Sequence, residues 1–375
     1  MPTEHVISID PSKPLGDEPQ TGHNRWHEAI EPVLEVETGD TVVYETRDAF
    51  DGQLSPASSA ADVAGARLGP VHPLTGPVFV KGAQQGDLLE AEILAIDPDP
   101  WEQWGYTVEV PGFGFLRDAF PDPFIAHWRL DGTTAAESEQ IPGLRIPFAP
   151  FPGVFGIAPS AELRRAATER EAELAARGGM ALPPDAEGAV PADETIAAEA
   201  LRTVPPRETA GNIDIKQTTP GVTLLLPVYA EGALVSTGDV HYAQGDCEAC
   251  GTAIEMRSRV HVRFGVRKGE AERLGIRDLQ FTRDDYFAPP ELAAPRRFHA
   301  TTGICVTRDG RNESEDLTLA ARNALLNMID YLGTRGYDAQ QAYALCSVAV
   351  DLRISQTVDV PNLMVTAILP LDIFV

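Results

Sequence analysis

The amino-acid sequence predicts a mainly β protein of the α+β class, with a sandwich- or barrel-like body, a helical insert and a C-terminal pair of helices. Three observations carry that expectation. Short apolar or alternating runs follow one another with Gly and Pro turn signals every several residues, the cadence of an antiparallel β architecture. After Pro159-Ser160 the composition turns abruptly to Ala, Glu, Arg and Leu, all strong helix formers. Between residues 317 and 332, apolar side chains recur near the helical period, at Leu317, Leu319, Ala320, Ala324, Leu325, Met328, Ile329 and Leu332.

In chain order, residues 30–46 read as a hairpin of two short strands around Gly39-Asp40. Asp48-Ala49-Phe50-Asp51-Gly52 is either a turn or part of a site. A second strand pair, 76–80 with 88–96, is joined through residues 82–86. Trp101, Trp104 and Trp128 are expected in connecting segments, where they cap the core or line a pocket. In the insert, residues 161–177 form a helix with Ser160 as N-cap and Gly178-Gly179 as its stop, followed by an exposed loop and a second short helix at 197–201. The insert is too small to bury a core of its own. It is therefore a lid, a contact between subunits or a surface decoration. Residues 265–295 read as charged and loop-like, and 303–307 as a buried strand. Two helices, 317–332 ended by Gly333 and 338–349, precede a last apolar strand at 363–369. One catalytic unit is expected over 1–375, with subregions 1–160, 161–205, 206–300 and 301–375.

Composition narrows the function. A chain of 375 residues with 43% hydrophobic and 7% aromatic content buries a large soluble core. A net charge of -26 without clustered Lys and Arg argues against nucleic acid as a partner. Residues 1–11 lack the basic start and apolar core of a signal peptide, and no apolar run is long enough to span a bilayer, so a cytoplasmic protein is expected, without a membrane partner. Four cysteines in so long a chain make no disulfide framework and should be reduced. P-loop, dinucleotide and nucleophile-elbow fingerprints are absent.

The densest chemistry lies in residues 238–255, Gly238-Asp239-Val240-His241 through Gln244-Gly245-Asp246-Cys247-Glu248 to Cys250 and Glu255. An apolar run at 222–229 precedes it and an alternating one at 254–264 follows, which places it on a turn between two strands. Asp239 and His241 are two apart, so on an extended strand they share a face and can grip one cation. Nitrogen and oxygen donors suit zinc, with one position left open for water. Asp214, from a second segment, completes a set of three ligands. Asp246, Glu248 and Glu255 crowd the same loop, and so many carboxylates repel unless a cation or protons neutralise them. Asp246 and Glu255 are the catalytic candidates, with a buried Glu255 suited to general-base work. Asn212 and Gln244 offer both donor and acceptor for an amide. Cys247 and Cys250 form a lone CxxC, for which a small buried role at Cys250 outweighs a nucleophilic one. His23, His27 and His72 are further candidates, each more simply read as a structural histidine.

These residues also carry a family resemblance. The 238–255 stretch, Gly211-Asn212-Ile213-Asp214-Ile215-Lys216, His23-Asn24-Arg25-Trp26, residues 32–40 and 76–83, and Gly86-Asp87 together resemble the acetamidase/formamidase family of metal-associated amide hydrolases. The resemblance covers nearly the whole chain. It implies hydrolysis of a short, small neutral amide, with a divalent metal, zinc by its donor set, and a homo-oligomeric assembly. The Pro205-Pro206-Arg207-Glu208 ending of the insert resembles the formamidase branch and favours formamide over acetamide. A substrate so small needs little covering, which favours the subunit-contact role for the insert. Cys247 stands where the family has glycine. Two rivals are kept: an acyl-enzyme amidase working through Cys250, which chelators would leave intact, and a non-enzymatic β-sandwich binding module, which would release no ammonia.

Overall fold

The computed structural model describes residues 2–100, 102–284 and 297–375. Among them are two large sheets. One has six strands, in the order Glu4–Ile7, Thr41–Thr46, Ser258–Arg267, Leu88–Pro98, Thr223–Pro227 and Gln280–Thr282. The other runs Ile146–Pro147, Ala135–Glu137, Phe124–Asp131, Trp104–Glu109, Glu255–Met256, Val235–His241, Phe151–Gly156 and Ala210–Asn212. From its Val235–His241 strand branches Leu74–Val80, which in turn pairs with Gly22–His23 and Leu34–Val36. Neither sheet closes on itself, so the body is sandwich-like rather than a barrel. A single apolar cluster joins Leu89, Ile93 and Val262 of the first sheet to Trp128, Phe155 and Val240 of the second. Leu325, Met328 and Leu345 of the C-terminal helices belong to the same cluster.

Sequence patterns explain the regular elements. The insert helix spans Ala161–Ala176, and Ser160 Oγ caps it by accepting from the Leu163 amide at 3.1 Å. Two C-terminal helices, Leu317–Thr334 and Ala339–Ala349, pack on a three-stranded sheet of Phe298–Ile304, Met364–Pro370 and Asp351–Gln356. Asp338 and Gln341 form a capping box at the second helix. Among the described residues no helix is long and apolar enough to cross a membrane.

Several expectations need correcting. The runs within 30–46 are not a hairpin: Leu34–Val36 pairs in parallel with Leu74–Val80, while Thr41–Thr46 joins the other sheet. Residues 74–80 and 88–98 likewise diverge into separate sheets. A short turn between two strands does not oblige them to pair when each has a better-matched partner farther along the chain. Trp104 and Trp128 lie on strands, and Trp128 is fully buried; Trp101 lies outside the described residues. The stretch 265–295 falls partly outside them too, but its described portion contains the helix Glu270–Leu274 and the strand Gln280–Thr282. Gly333 lies inside its helix, which continues to Thr334. The strand placed at 303–307 runs instead over Phe298–Ile304 and is mostly exposed or half-buried. The second short helix of the insert covers Glu194–Glu199.

The insert packs against its own chain. Arg164 holds Glu28 at 2.9 Å and Glu199 at 2.7 Å, and Ala167 is buried with Trp26, Leu74 and Val154. Arg207, just beyond the insert, grips Glu171 of its helix with two hydrogen bonds, 2.7 and 2.9 Å long.

Candidate active site

Val235–His241 is the strand that organises the site. All seven of its residues are buried, although Ser236, Thr237, Asp239 and His241 are polar. Polar side chains on a central buried strand need partners, and the neighbouring strands supply them. His241 lies opposite Phe151 on one side and Glu255 on the other, and Glu255 in turn lies opposite Tyr106. Asn212 reaches the same area from the strand paired to Val154. Gly153 makes the close approach possible: a Cβ there would stand 2.7 Å from Asp239 Oδ2 and from His241 Cε1.

Several side chains converge on His241 Nε2. Glu255 Oε2 lies 3.4 Å away, Asp239 Oδ1 3.5 Å and Glu248 Oε1 3.9 Å. Asp214, Asp239 and His241 offer donor atoms within 4.8 Å of one another, as do His241, Glu248 and Glu255. His241 Nδ1 donates to Gln244 Oε1 at 2.9 Å, which leaves the lone pair of the neutral ring on Nε2. Gln244 Nε2 donates to the Asp214 carbonyl at 2.9 Å and so ties the two sequence segments together. His241 Nε2, Asp214 Oδ1, Glu255 Oε2, His72 Nδ1 and Asn212 Oδ1 are buried atoms without a hydrogen-bond partner. Asp214, Asp239 and Glu248 adopt left-handed backbone conformations, with φ of 47°, 52° and 46°. Such strain costs on the order of 1–3 kcal/mol per residue and gathers where function demands it.

The electrostatics are those of a site short of positive charge. Burial pushes the Asp214 carboxyl up to about 7, with the Asp239 charge adding to the rise and His241 opposing it. Burial, then the surrounding carboxylates, push Glu248 and Glu255 well above the usual carboxylate range. Asp239 goes the other way: burial would raise it, but His72 and His241 together hold it low. His241 is raised, because Asp239 outweighs the effect of burial. The four carboxylates can all be ionised together only if a cation joins them; without one, Asp239 stays ionised while Asp214, Glu248 and Glu255 are pushed toward holding protons.

The carboxylates of this cluster line a cavity of about 740 Å³, whereas His241 itself is fully buried and does not line it. Asn212, Asp214, Asp239, Glu255 and also His72 and Glu248 line it. His72 and Glu248 were named in the sequence without an assigned role and both line the cavity: His72 comes from a distant loop, its Nε2 3.9 Å from Asp239 Oδ2. Gln244 does not line the cavity and acts on His241 instead. Asp246 is also outside it; its carboxylate accepts from Gln217 Nε2 at 3.1 Å, and its amide donates to Asp351, which pairs with Lys216. Asp48 caps its own turn, accepting from the Phe50 and Gly52 amides and from Tyr106. His23 is held between the Arg25 carbonyl and Ser236 Oγ in the core, and His27 Nδ1 accepts from the Ala29 amide. Cys250 is buried off the cavity, and burial pushes its thiol up to about 12.

Carboxylates lining a cavity beside a buried histidine nitrogen are groups that hydrolytic chemistry can use. Comparison with known proteins specifies the class further. The model of the acetamidase/formamidase family matches residues 8–375. The chain is similar to an acetamidase from Mycolicibacterium smegmatis, 39% identical over an alignment of 368 positions that covers 91% of this chain and 89% of the relative. It is similar to a formamidase from Methylophilus methylotrophus, 34% identical over an alignment of 386 positions that covers 98% of this chain and 93% of that one. Among solved structures it resembles a gamma lactamase from Delftia acidovorans, with a TM-score of 0.93 and 37% identity over 99% of this chain and 93% of that chain. This protein belongs to the acetamidase/formamidase family and is an amidohydrolase.

Proposed function

We propose that the protein hydrolyses short primary amides, formamide first and acetamide second, to the carboxylate and ammonia, with water activated at a divalent cation held by the buried cluster. One observation carries this reading. Asp214, Asp239 and His241 bring donor atoms within 4.8 Å of one another, and His241 Nε2 and Asp214 Oδ1 are buried without a hydrogen-bond partner, a donor set that fits a cation. Asp214, Asp239 and His241 are the residues that would hold it, and one nitrogen with carboxylate oxygens suits zinc. A bound cation at such a site polarises a carbonyl and lowers the pKa of a water.

The chain's own groups do the rest. Glu255 is anchored through Oε1, which accepts from the Ala253 amide at 2.9 Å, so Oε2 is free to take the proton of the attacking water. The water oxygen would add to the carbonyl carbon as Glu255 takes its proton, and Glu255 would then deliver that proton to the nitrogen as the C–N bond breaks, the carbonyl re-forms and ammonia leaves. Asn212 Nδ2 is engaged by the Val204 carbonyl at 3.1 Å, which turns Oδ1 toward the amide NH₂ as an acceptor. Formamide ahead of acetamide rests on the Pro205-Pro206-Arg207-Glu208 ending, whose Pro205 lines the cavity. The rival thiol chemistry is disfavoured, because a neutral Cys250 set off the cavity is a poor nucleophile.

Ammonia release from formamide tests the reading. His241→Ala should keep its unfolding transition yet lose at least about a thousandfold in kcat/KM, as for loss of a water-activating cation. Near wild-type turnover by the folded variant would refute it.

A further inference from the structure

The cavity is far larger than the substrates named so far. At a liquid-like ~30 Å³ per heavy atom, formamide fills roughly 90 Å³, against about 740 Å³ available. The wall around the excess volume is mostly apolar, with Arg117, Glu171 and Arg202 as its charged members away from the carboxylate cluster. Val71, Val110 and Val204 belong to this wall above the cluster. At the mouth Phe113, Leu174 and Met180 are 39%, 37% and 63% exposed, side chains from a loop of the body and from the insert that gather around one opening. Large apolar side chains clustered at a cleft mark a surface that a ligand covers.

The geometry also says which end of an amide points outward. Asn212 Oδ1, buried and unpartnered, accepts N–H, and Glu255 must return a proton to the nitrogen, so the nitrogen stays small and deep. The bulky part is then the acyl side. We propose that the protein also hydrolyses primary amides of arylalkyl or medium-chain carboxylic acids, with the apolar acyl group lying along Val71, Val110 and Val204 toward Phe113, Leu174 and Met180. This rests on the amidase reading above. The reaction balances as before: water adds to the carbonyl carbon, the C–N bond breaks, and the nitrogen leaves as ammonia with the transferred proton.

The test compares 3-phenylpropanamide with acetamide on the metal-loaded protein by ammonia release. Burying the added carbons should raise kcat/KM by at least about tenfold, a small part of what roughly 0.8 kcal/mol per methylene allows. In the double variant Phe113→Ser/Met180→Ser, whose changes are at exposed positions, the ratio of the two kcat/KM values should fall at least about fivefold. A kcat/KM for 3-phenylpropanamide below that for acetamide overturns the proposal while leaving the amidase reading in place. If no amide, formamide included, releases ammonia, the amidase reading itself fails. Binding then decides on the cavity: a rise in Tm with 3-phenylpropanamide but not with equimolar acetamide supports an acyl-binding wall, and equal effects overturn it.

Discussion

Gln244 shows how one side chain sets the chemistry of another without touching substrate. Its Oε1 fixes the proton of His241 on Nδ1, and its Nε2 holds the backbone of Asp214. Gln244→Ala should therefore weaken zinc affinity by about 10–100-fold, the usual effect of removing such a support, with a smaller change in stability. Metal titration by calorimetry reads this, and an unchanged affinity would contradict it. Cys247 and Cys250 separate in the same way. Cys250→Ala should keep most of the turnover and lose about 1–2 kcal/mol in urea unfolding, as for a small buried group. Cys247 has φ of 86°, the left-handed conformation that its glycine-like position in the motif implied. Cys247→Gly should stabilise the protein by about 0.5–1 kcal/mol, the left-handed penalty less the entropy of a freer unfolded chain. Asp239 and His241 were legible from their spacing on one strand, and Glu255 from its place after an apolar run. His72 was only one of three candidate histidines, because nothing near it in sequence distinguishes it from His23 and His27, and only the fold brings its Nε2 within 3.9 Å of Asp239.

At the scale of elements, the site depends on how closely two strands approach. Gly153 on Phe151–Gly156 has no Cβ to separate that strand from Asp239 and His241. Gly153→Ala should lower metal content and cut kcat/KM at least about a hundredfold, as displacements of catalytic groups by around 1 Å do. Elemental analysis beside the amidase assay checks it; full metal content with normal turnover would contradict it. Helices were the most legible elements, since Ser160 and the 3.6-residue spacing after 317 mark them locally. Strand pairing was the least. Thr41–Thr46 and Leu88–Pro98 each pair with Ser258–Arg267, more than 150 residues along the chain, and no local pattern encodes so distant a partner. The insert illustrates the same limit: its amphipathic positions required a cover, but only the fold shows Ala167 against Trp26 and Leu174 at the cavity mouth.

For the whole molecule, a cluster short of positive charge links metal, protons and stability. Folding raises the Asp214 carboxyl from 3.8 to about 7, so the metal-free folded state holds a proton that the unfolded chain has released across that window. Stability is then greatest below the lower value and declines as pH rises toward the higher one. The Tm of the metal-free protein should fall between about pH 4 and 7, whereas the zinc-loaded protein should show no such fall, because metal replaces the proton. Scanning calorimetry with and without chelator reads both curves, and parallel curves would argue against a cation at this cluster. The most direct measurement of the central claim combines elemental analysis with ammonia release from formamide through a cycle of chelation and zinc readdition. About one equivalent of metal per chain is expected, since one His241 lone pair serves one cation, with turnover lost on chelation and restored by zinc. Full turnover by exhaustively chelated, metal-free protein would contradict it.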